Sequence, residues 1–412
     1  MIEQKCKGAR DLLPQDTERF RFIEDTFRRS CISWGYQEVK TPTIEYLHLF
    51  TAAGTLTPSM LSKVYSFLDW DGWSGERVAL RPDGTIPVAR LFIENLAQEE
   101  MARLFYVTNI FIFEETGKEN REKWQCGAEF LGNSKPTADV ELILLAMEVV
   151  HNLGIDNVEL KLSHAGLLKA LITELKLATE ERHALLDQIQ DGNWQILTQT
   201  KTSNADTNRM LSLLLDSKGK SSGFLENLKS LPQISAEPKA QLEKLTEITS
   251  LLDVLDCRYQ IDITSTKEFE YYTGLCFQLS ADQKKIGGGG RYDNLISLMG
   301  SGDTPACGFA LYLDPLMNMM SLKPQKDMEK KILVRSSTTA PNVVKAGFQV
   351  AQSLREAGYI AELDFNHRKT DYRWVITVKD KLPTFTIIDQ INNTSKDFSS
   401  ISDVIRMLGG SA

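Results

Sequence analysis

Residues 105–115 read FYVTNIFIFEE, and residues 123–132 read KWQCGAEFLG. The first segment is rich in aromatic and β-branched residues, which are typical of a strand buried in a sheet. A charged loop leads to the second segment, which has the pattern of a returning strand. Together the two segments predict a long antiparallel hairpin.

The sequence before the hairpin alternates between helix and strand. Residues 17–33 place apolar side chains at helical spacing, and Gly35 and Pro42 then interrupt that pattern. The interrupted segment, WGYQEVKTPTIE (34–45), predicts a turn and an extended strand. Residues 77–93 predict a strand, a Pro-Asp-Gly turn and a helix, with polar side chains gathered at the turn.

The sequence after the hairpin changes character twice. A helix over 138–153 and a strand over 158–162 lead into residues 164–256, which are rich in Leu, Lys, Glu and Gln and predict a helical insertion. Strand-like RYQIDIT and YYTGLCFQLS follow it. The glycine run Gly287–Gly290 then predicts a tight strand-to-helix turn, since no Lys-Ser/Thr pair follows as in a phosphate-binding P-loop.

The last part of the chain restarts an independent pattern. Helices are predicted from Tyr292 and over 305–320, and residues 321–331 form a polar linker. Beyond the linker, strands at ILVRS, IAELDF, WVITV and FTIIDQ accompany two helices, which predicts a small α/β module over 330–412. The chain therefore divides into a core (1–163 and 257–320), a helical insertion (164–256) and this module.

Composition indicates an ordinary soluble protein. The 412 residues include 42% hydrophobic and 25% charged residues, and the net charge of -8 argues against a surface built to neutralise nucleic-acid phosphates. The six cysteines are scattered without a C-x-x-C pair, and the histidines lie far apart, so no metal site is predicted. The N-terminus has no apolar signal region, and we expect a cytoplasmic protein without a membrane segment.

Carboxylates and tyrosines are the candidate ligand contacts. Asp83, Glu129 and Glu270 each lie at the end of a predicted strand or turn, and a buried carboxylate needs a cation or several hydrogen-bond donors. The ammonium group of an amino acid would supply a cation. Tyr271 and Tyr272 offer hydroxyl groups on apolar rings, which suits a polar ring-bearing ligand.

Ordered segments along nearly the whole chain resemble histidyl-tRNA synthetase and its relatives. They are KGARDLLP (7–14), WGYQEVKTPTIE (34–45), LRPDGTIPVAR (80–90), QCGAEFLG (125–132), YYTGLCFQL (271–279), GGGGRYDNL (287–295) and CGFALYLDPL (307–316). The resemblance implies an α+β fold with the antiparallel sheet of the class II aminoacyl-tRNA synthetases. It also implies a helical insertion, an anticodon-binding-like C-terminal module and dimerisation through WGYQEVKTPTIE.

The same resemblance implies a histidine pocket. Its residues here are Asp83, Thr85, Gln125, Glu129, Tyr271 and Tyr272. Asp83 stands where the synthetases have a glutamate, which shortens the reach toward the ligand ammonium by one methylene.

The residues for ATP chemistry depart from the synthetase pattern. Ile112 replaces the arginine of the Phe-Arg-x-Glu motif, and Pro315 replaces a second arginine after Gly-Phe-Ala. Lys267 stands where a third arginine would contact the reacting carboxylate. Guanidinium groups bind phosphate oxygens bidentately, and losing even one such preorganised charge typically costs about a hundredfold or more in rate.

A synthetase-like core that keeps the amino-acid pocket and loses ATP chemistry resembles the regulatory subunits of ATP phosphoribosyltransferase. That resemblance implies a chain without catalytic residues or cofactor, which binds histidine and gives a short-form catalytic subunit feedback control over the first step of histidine biosynthesis. It implies a homodimer within a hetero-octamer, and no tRNA is expected as a partner. The alternatives are another noncatalytic synthetase paralogue, acting on RNA or protein, and a divergent active histidyl-tRNA synthetase.

Overall fold

The structure, a computed structural model, describes residues 5–52, 61–69, 75–113, 120–190, 192–200, 202, 204–215, 222–232, 234–265, 271–320, 330–364, 372–382 and 384–409. It divides into two compact units, Met1–Met320 and Ser321–Ala412. Among the helices in these ranges, none is long and apolar enough to cross a membrane.

An eight-stranded sheet organises the first unit, in the order β1-β5-β6-β11-β10-β9-β7-β8. Neighbouring strands are antiparallel except for β1 with β5 and β7 with β8, which run parallel. The strands are β1 (Gln37–Glu38), β5 (Ala102–Phe111), β6 (Glu122–Leu131), β7 (Glu159–His164), β8 (Gln260–Ile261), β9 (Leu275–Ala281), β10 (Lys284–Arg291) and β11 (Ala306–Tyr312).

The predicted hairpin is confirmed. Strands β5 and β6 pair in antiparallel register along their whole length, from Ala102 opposite Leu131 to Phe111 opposite Glu122. Leu104, Phe105, Tyr106 and Ile110 of β5 are buried, as the composition of the strand predicted. Because β6 also pairs with β11, the hairpin lies inside the sheet, where both strands have hydrogen-bonded neighbours on each side.

Helices and a smaller sheet surround the large sheet in the first unit. Helix α1 (Pro14–Ser33) packs on α4 (Pro136–Asn152) and on the sheet. A three-stranded sheet in the order β2-β4-β3 lies beside them, from β2 (Ile44–Tyr46), β3 (Ser66–Leu68) and β4 (Arg77–Leu80), with α2 (Leu47–Ala52) next to it. Strand β4 leads through the predicted turn into α3 (Thr85–Asn95).

The segment between β7 and β8 is helical, as its composition predicted. Buried His164 starts it: its Nδ1 accepts the backbone N–H of Leu167 at 3.1 Å, which satisfies a donor at the start of α5. The helices are α5 (Ala165–Glu174), α6 (Thr179–Gln190), α7 (Ile196–Gln199), α8 (Ala205–Leu215), α9 (Ser222–Lys229) and α10 (Ala236–Val254).

The glycine run corrects one expectation. Gly287–Gly290 do not form a turn but lie inside β10, between β9 and β11. A β-carbon at Gly289 would lie 2.1 Å from the carbonyl oxygen of Gly308, and one at Gly290 would lie 2.4 Å from that of Leu275. The glycines are therefore required because neighbouring backbones approach too closely for any side chain.

Two predicted helices and one predicted strand are also corrected. Residues 305–320 were predicted as one helix but form β11 and then α12 (Leu313–Met319), because a short apolar run buried on both faces fits either period. The helix expected from Tyr292 is the single turn α11 (Leu295–Leu298). RYQIDIT supplies only the two residues of β8 before a 3-10 turn at Ile263–Ser265.

The second unit is an α/β module. Its five-stranded sheet has the order β13-β12-β14-β15-β16, from β12 (Lys331–Ser336), β13 (Ile360–Leu363), β14 (Trp374–Val378), β15 (Phe385–Asp389) and β16 (Thr394–Phe398). Helices α13 (Pro341–Glu356) and α14 (Ile401–Met407) share its apolar core. Strand β16 was not predicted, since its exposed polar residues carry no apolar alternation.

Candidate ligand cavity

A cavity of about 770 Å³ opens over one face of the large sheet. Lys123 and Gln125 of β6 line it, and Glu129 follows on the same face, because every second residue of a strand points to the same side. Gly308 and Tyr312 of β11 line it in the same way. The cavity therefore runs along the strands, with Glu129 toward one end and Lys123 toward the other.

Glu129 is a buried carboxylate surrounded by hydroxyl groups. Glu129 is only 1% exposed. Its Oε1 accepts hydrogen bonds from Thr85 Oγ1 at 2.8 Å and from the Tyr106 hydroxyl at 3.2 Å. The Tyr292 hydroxyl donates to Oε2. Burial raises the pKa of Glu129 to about 8, against the lowering effect of these hydrogen bonds.

Glycines make the space for this cluster. A β-carbon at Gly308 would lie 1.7 Å from Glu129 Oε2, and one at Gly127 would lie 2.2 Å from Cζ of Tyr106. Glu129 of β6 can therefore contact Tyr106 of β5 only while Gly127 of β6 and Gly308 of β11 carry no side chain.

Asp83 lies in the turn between β4 and α3. Its Oδ1 accepts the backbone N–H of Ile86 at 2.8 Å, a donor that has no partner within the helix. The negative charge also lies at the positive end of the helix dipole. The turn thus fixes Asp83 at the cavity wall next to Thr85, the first residue of α3.

Three tyrosines form the apolar wall beside Glu129. The rings of Tyr271 and Tyr292 stack at 5.2 Å between centroids, and Tyr272 packs edge-on against Tyr271 at 5.0 Å. The hydroxyl of Tyr271 is buried without a hydrogen-bond partner in the part of the chain that the structure describes. Burial holds the pKa of Tyr271 well above its ordinary value, so this hydroxyl stays neutral.

Arg291 lies on the opposite side of the sheet from Tyr292, its neighbour in sequence. Its Nη2 donates to Oδ2 of Asp139 at 2.7 Å, and its Nη1 donates to the carbonyl oxygen of Asn133 at 2.9 Å and to Oδ1 of Asp293 at 3.0 Å. Arg291 and Asp139 are both buried. This ion pair connects β10 to α4 on the face of the sheet opposite the cavity, whereas Tyr292 lies on the cavity side.

The other end of the cavity has a different lining. Ile112 and Pro315 contribute apolar surface there, beside Asp314, whose carboxylate pairs with Arg10. The positive groups that line the cavity, within the ranges the structure covers, are the ammonium groups of Lys63, Lys123, Lys284 and Lys285. Lys267 and Glu270, to which the sequence assigned a role, lie outside the described residues.

The structure brings the sequence-predicted site residues together. Asp83, Thr85, Gln125, Tyr271 and Tyr272 line the cavity, and Glu129 bonds directly to Thr85. Sequence reasoning missed Tyr106 and Tyr292, which hold the Glu129 carboxylate. Two features of the sequence could have pointed to them. Tyr292 stands two residues after the glycine run, and Tyr106 lies opposite Gly127 in the register of the predicted hairpin.

The family profile described as histidyl-tRNA synthetase matches residues 8–316. The chain belongs to this family. Within the family, an ATP phosphoribosyltransferase regulatory subunit from Dehalococcoides mccartyi is 47% identical over 409 residues, which are 98% of each chain. A histidine–tRNA ligase from Methanocaldococcus jannaschii is 32% identical over 375 residues, 89% of this chain and 87% of the ligase.

A solved structure supports the same fold. It is described as an ATP phosphoribosyltransferase regulatory subunit/histidyl-tRNA synthetase from Bacillus halodurans C, and it covers 92% of this chain and 99% of its own with a TM-score of 0.79 at 23% identity. The expected class II synthetase-like fold is therefore confirmed. Against the family's sequence pattern, this member keeps polar groups at the Glu129 end and has Ile112 and Pro315 at the other end.

Proposed function

We propose that the protein is the histidine-binding regulatory subunit of an ATP phosphoribosyltransferase and catalyses no reaction of its own. The observation that carries this proposal is the asymmetry of one cavity. The Glu129 end is a hydrogen-bonded, shaped pocket, whereas Ile112 and Pro315 occupy the end where adenylate chemistry would need guanidinium groups.

Histidine matches the charge and the remaining hydrogen-bonding groups at the Glu129 end of the cavity. Its ammonium group lies against Asp83, with Thr85 and Gln125 alongside as polar neighbours. Its imidazole ring extends toward Glu129, whose two oxygens can together accept about four hydrogen bonds and here accept three. The Tyr271 hydroxyl, which has no hydrogen-bond partner among the described residues, meets the second ring nitrogen. A ligand with one charged amine and a two-nitrogen ring thus matches both the charge and the hydrogen-bonding groups.

The same cavity does not support amino-acid activation. In adenylate formation a carboxylate oxygen bonds to the α-phosphorus of ATP while the bond to the β-phosphate oxygen breaks and pyrophosphate leaves, and enzymes stabilise the charge that develops on these oxygens with preorganised donors. Among the cavity-lining residues that the structure describes, no arginine is present. Lysine ammonium groups are point charges and do not reproduce the planar fork of a guanidinium.

Regulation follows from coupling between two sites. Histidine can inhibit the partner only if it binds one conformation of the complex more tightly than another. We place the short-form catalytic subunit as that partner, with this chain as a homodimer inside a cytoplasmic hetero-octamer. Feedback by the end product then needs no histidine site in the catalytic subunit.

Calorimetry with histidine tests the pocket. Wild-type protein is expected to bind histidine, and Glu129→Gln is expected to bind it about tenfold to a hundredfold more weakly, since a buried hydrogen-bonding group left unsatisfied costs about 1–3 kcal/mol. Glu99→Gln, an exposed position outside the cavity, is the matched control. Unchanged histidine affinity in Glu129→Gln would contradict the assignment of the ring to Glu129.

Two further measurements test the absence of catalysis and the partner. Histidine-dependent ATP–pyrophosphate exchange should be absent from wild-type protein, and exchange at synthetase rates would favour an active ligase instead. Co-expression with a short-form catalytic subunit should yield a complex whose phosphoribosyltransferase activity histidine inhibits. With Glu129→Gln the complex should still form, but its inhibition should need about tenfold to a hundredfold more histidine.

A further inference from the structure

The tyrosine segment, residues 271–274, connects the wall of the cavity to β9. Tyr271 and Tyr272 line the cavity, and Gly274 leads directly into the first residue of the strand. Helix α5, the first helix of the insertion, bonds to this same segment. The insertion and the wall of the cavity therefore meet at the tyrosine segment.

Two groups of α5 hold alternate carbonyl oxygens of the tyrosine segment. The ammonium group of Lys169 donates to the carbonyl oxygen of Tyr272 at 2.8 Å, and the backbone N–H of Ala165 donates to that of Gly274 at 2.8 Å. Lys169 is half-buried, so its charge-assisted hydrogen bond is screened less than one at the surface. A side chain of the insertion thus fixes the backbone of a residue that lines the cavity.

Helix α5 also lies too close to the tyrosine segment to move toward it. A β-carbon at Gly166 would lie 2.7 Å from the carbonyl oxygen of Thr273 and 2.6 Å from Oε1 of Gln241, a residue of α10. Helix α10 packs along α5 and also on α9 and α4. Helix α5 is therefore in contact with the tyrosine segment and with the rest of the insertion at the same point.

The tyrosine segment is bonded on its other side to the end of β10. The backbone N–H of Thr273 donates to the carbonyl oxygen of Arg291 at 2.7 Å. The next residue, Tyr292, stacks on Tyr271 and donates to the Glu129 carboxylate. A displacement of the tyrosine segment would therefore reach the groups that surround Glu129.

We propose that α5 couples the helical insertion to the cavity, with Lys169 as the residue that positions the tyrosine wall. This coupling rests on the proposed function, since the ligand of the cavity is taken to be histidine. By linkage, a ligand that binds better when the wall is in place also stabilises the position of α5 that holds the wall there. A partner that displaces α5 then lowers histidine affinity, and histidine opposes that displacement.

Calorimetry with histidine tests the coupling in the full-length protein. Lys169→Met keeps an unbranched apolar side chain and removes the ammonium group. Histidine affinity should fall about threefold to thirtyfold, the range usual for coupling through a network of contacts. Lys239→Met, at an exposed position of α10 in the same insertion, should bind histidine as the wild type does. Lys169→Arg retains a donor and should recover most of the lost affinity.

A second variant separates α5 from the tyrosine segment while it leaves Lys169 in place. Gly166→Ala adds a carbon that meets the backbone of Thr273, and alanine is otherwise favourable in a helix. Its histidine affinity should fall as well. Agreement between the two variants would locate the effect in the contact between α5 and the wall, whatever the stability of either variant.

Hydrogen exchange supplies a readout that a loss of stability alone would not produce. Saturating histidine should slow amide exchange in α5 of the wild type more than in α6, another helix of the insertion, because the slowing reports local opening rather than global unfolding. In Lys169→Met at saturating histidine, this extra slowing in α5 should be lost.

The outcomes separate this coupling from the proposed function. Histidine affinity in Lys169→Met equal to that of the wild type would overturn the coupling and leave the proposed function intact. Equal losses in Lys169→Met and Lys239→Met, or no recovery in Lys169→Arg, would also overturn the coupling. Failure of the wild type to bind histidine would overturn the proposed function, and the coupling with it.

Discussion

Two buried carboxylates lie on opposite faces of the same sheet and are satisfied in different ways. Asp139 receives a guanidinium: Arg291 donates to both of its oxygens and closes the site with a buried ion pair. Among the described residues, Glu129 receives neutral hydroxyl groups alone, from Thr85, Tyr106 and Tyr292. Consecutive residues of the chain, Arg291 and Tyr292, serve the two sites.

The difference separates a structural group from a binding group. A buried carboxylate that is paired with a cation already has its charge neutralised, so replacing either partner is expected to lower the stability of the fold. A buried carboxylate without a cation shifts its pKa upward and keeps the capacity to accept a positively charged or donating ligand. The two sites therefore make opposite predictions for stability and for binding.

The largest effect should come from breaking the closed site. Arg291→Met leaves Asp139 buried without its cation, and we expect the free energy of unfolding to fall by about 3–5 kcal/mol. Denaturant titration measures this loss. Arg406→Met removes one member of an exposed pair with Asp403 and should cost no more than about 1 kcal/mol. The double variant Arg291→Met/Asp139→Asn should recover much of the lost stability; no recovery would mean that Arg291 acts through packing.

The second prediction concerns pH and the open site. The Glu129 carboxyl ionises near 4.5 in the unfolded chain, and its pKa is about 8 in the folded protein. Between these values the folded state holds a proton that the unfolded state has released, so this group's contribution to stability is complete below pH 4.5 and is lost as the pH rises through 8.

Denaturant titrations at pH 5, 6.5 and 8 without ligand check this dependence. Wild-type protein should lose on the order of a few kcal/mol more than Glu129→Gln over that range, because one pKa unit corresponds to about 1.4 kcal/mol. Asp139, whose pKa is also raised by burial, contributes equally to both proteins and cancels from the difference. Parallel curves for the two proteins would show that Glu129 is ionised throughout.

Filling the space beside Glu129 should have a smaller effect. Gly308→Ala places a β-carbon 1.7 Å from Oε2 of Glu129, which forces the carboxylate or β11 to move. We expect a loss of about 1–3 kcal/mol in stability, together with weaker histidine binding. Gly302→Ala, where the added carbon meets nothing within 4 Å, is the control. Histidine affinity as high as in wild type would show that the carboxylate position is not needed for binding.

The smallest effect should come from removing one neutral donor. Thr85→Val keeps the side-chain shape but removes the hydroxyl that donates to Glu129 at 2.8 Å. Histidine affinity should fall by about 0.5–1.5 kcal/mol, at most about tenfold. Thr173→Val, which removes an exposed hydroxyl bonded to the Lys169 carbonyl, should leave affinity unchanged. A loss as large as that of Glu129→Gln would mean that Thr85 contacts the ligand directly and strongly.

The sequence predicted those parts of the fold and of the candidate site that depend on a local pattern. The hairpin β5–β6 and the turn at Asp83 follow from composition and turn residues within short windows. The resemblance to a known family then predicted that Asp83 and Glu129 share a pocket, although they are far apart in sequence. Asp83 lines the cavity and Glu129 accepts a hydrogen bond from Thr85 beside it, and the roles of both as histidine ligands stay predictions for the calorimetry described above.

Other features could not be predicted because they depend on neighbours across the sheet. Tyr106 and Tyr292 are ordinary core aromatics by local pattern, and only the register of β5, β6 and β10 points them at Glu129. Gly287–Gly290 was misassigned for the same reason, since a close approach between strands leaves no local signal that differs from a turn. Long-range pairing, not local propensity, decided each case.

The glycine floor of the cavity also constrains how this lineage could have changed. Selection cannot place a side chain at Gly288 or Gly289, because adjacent strands already occupy the position of its first carbon. New specificity must therefore arise on the walls, where single substitutions such as those at Ile112 and Pro315 alter chemistry without disturbing the sheet. A floor that cannot vary lets members of one family share the same sheet while the residues on the cavity walls differ.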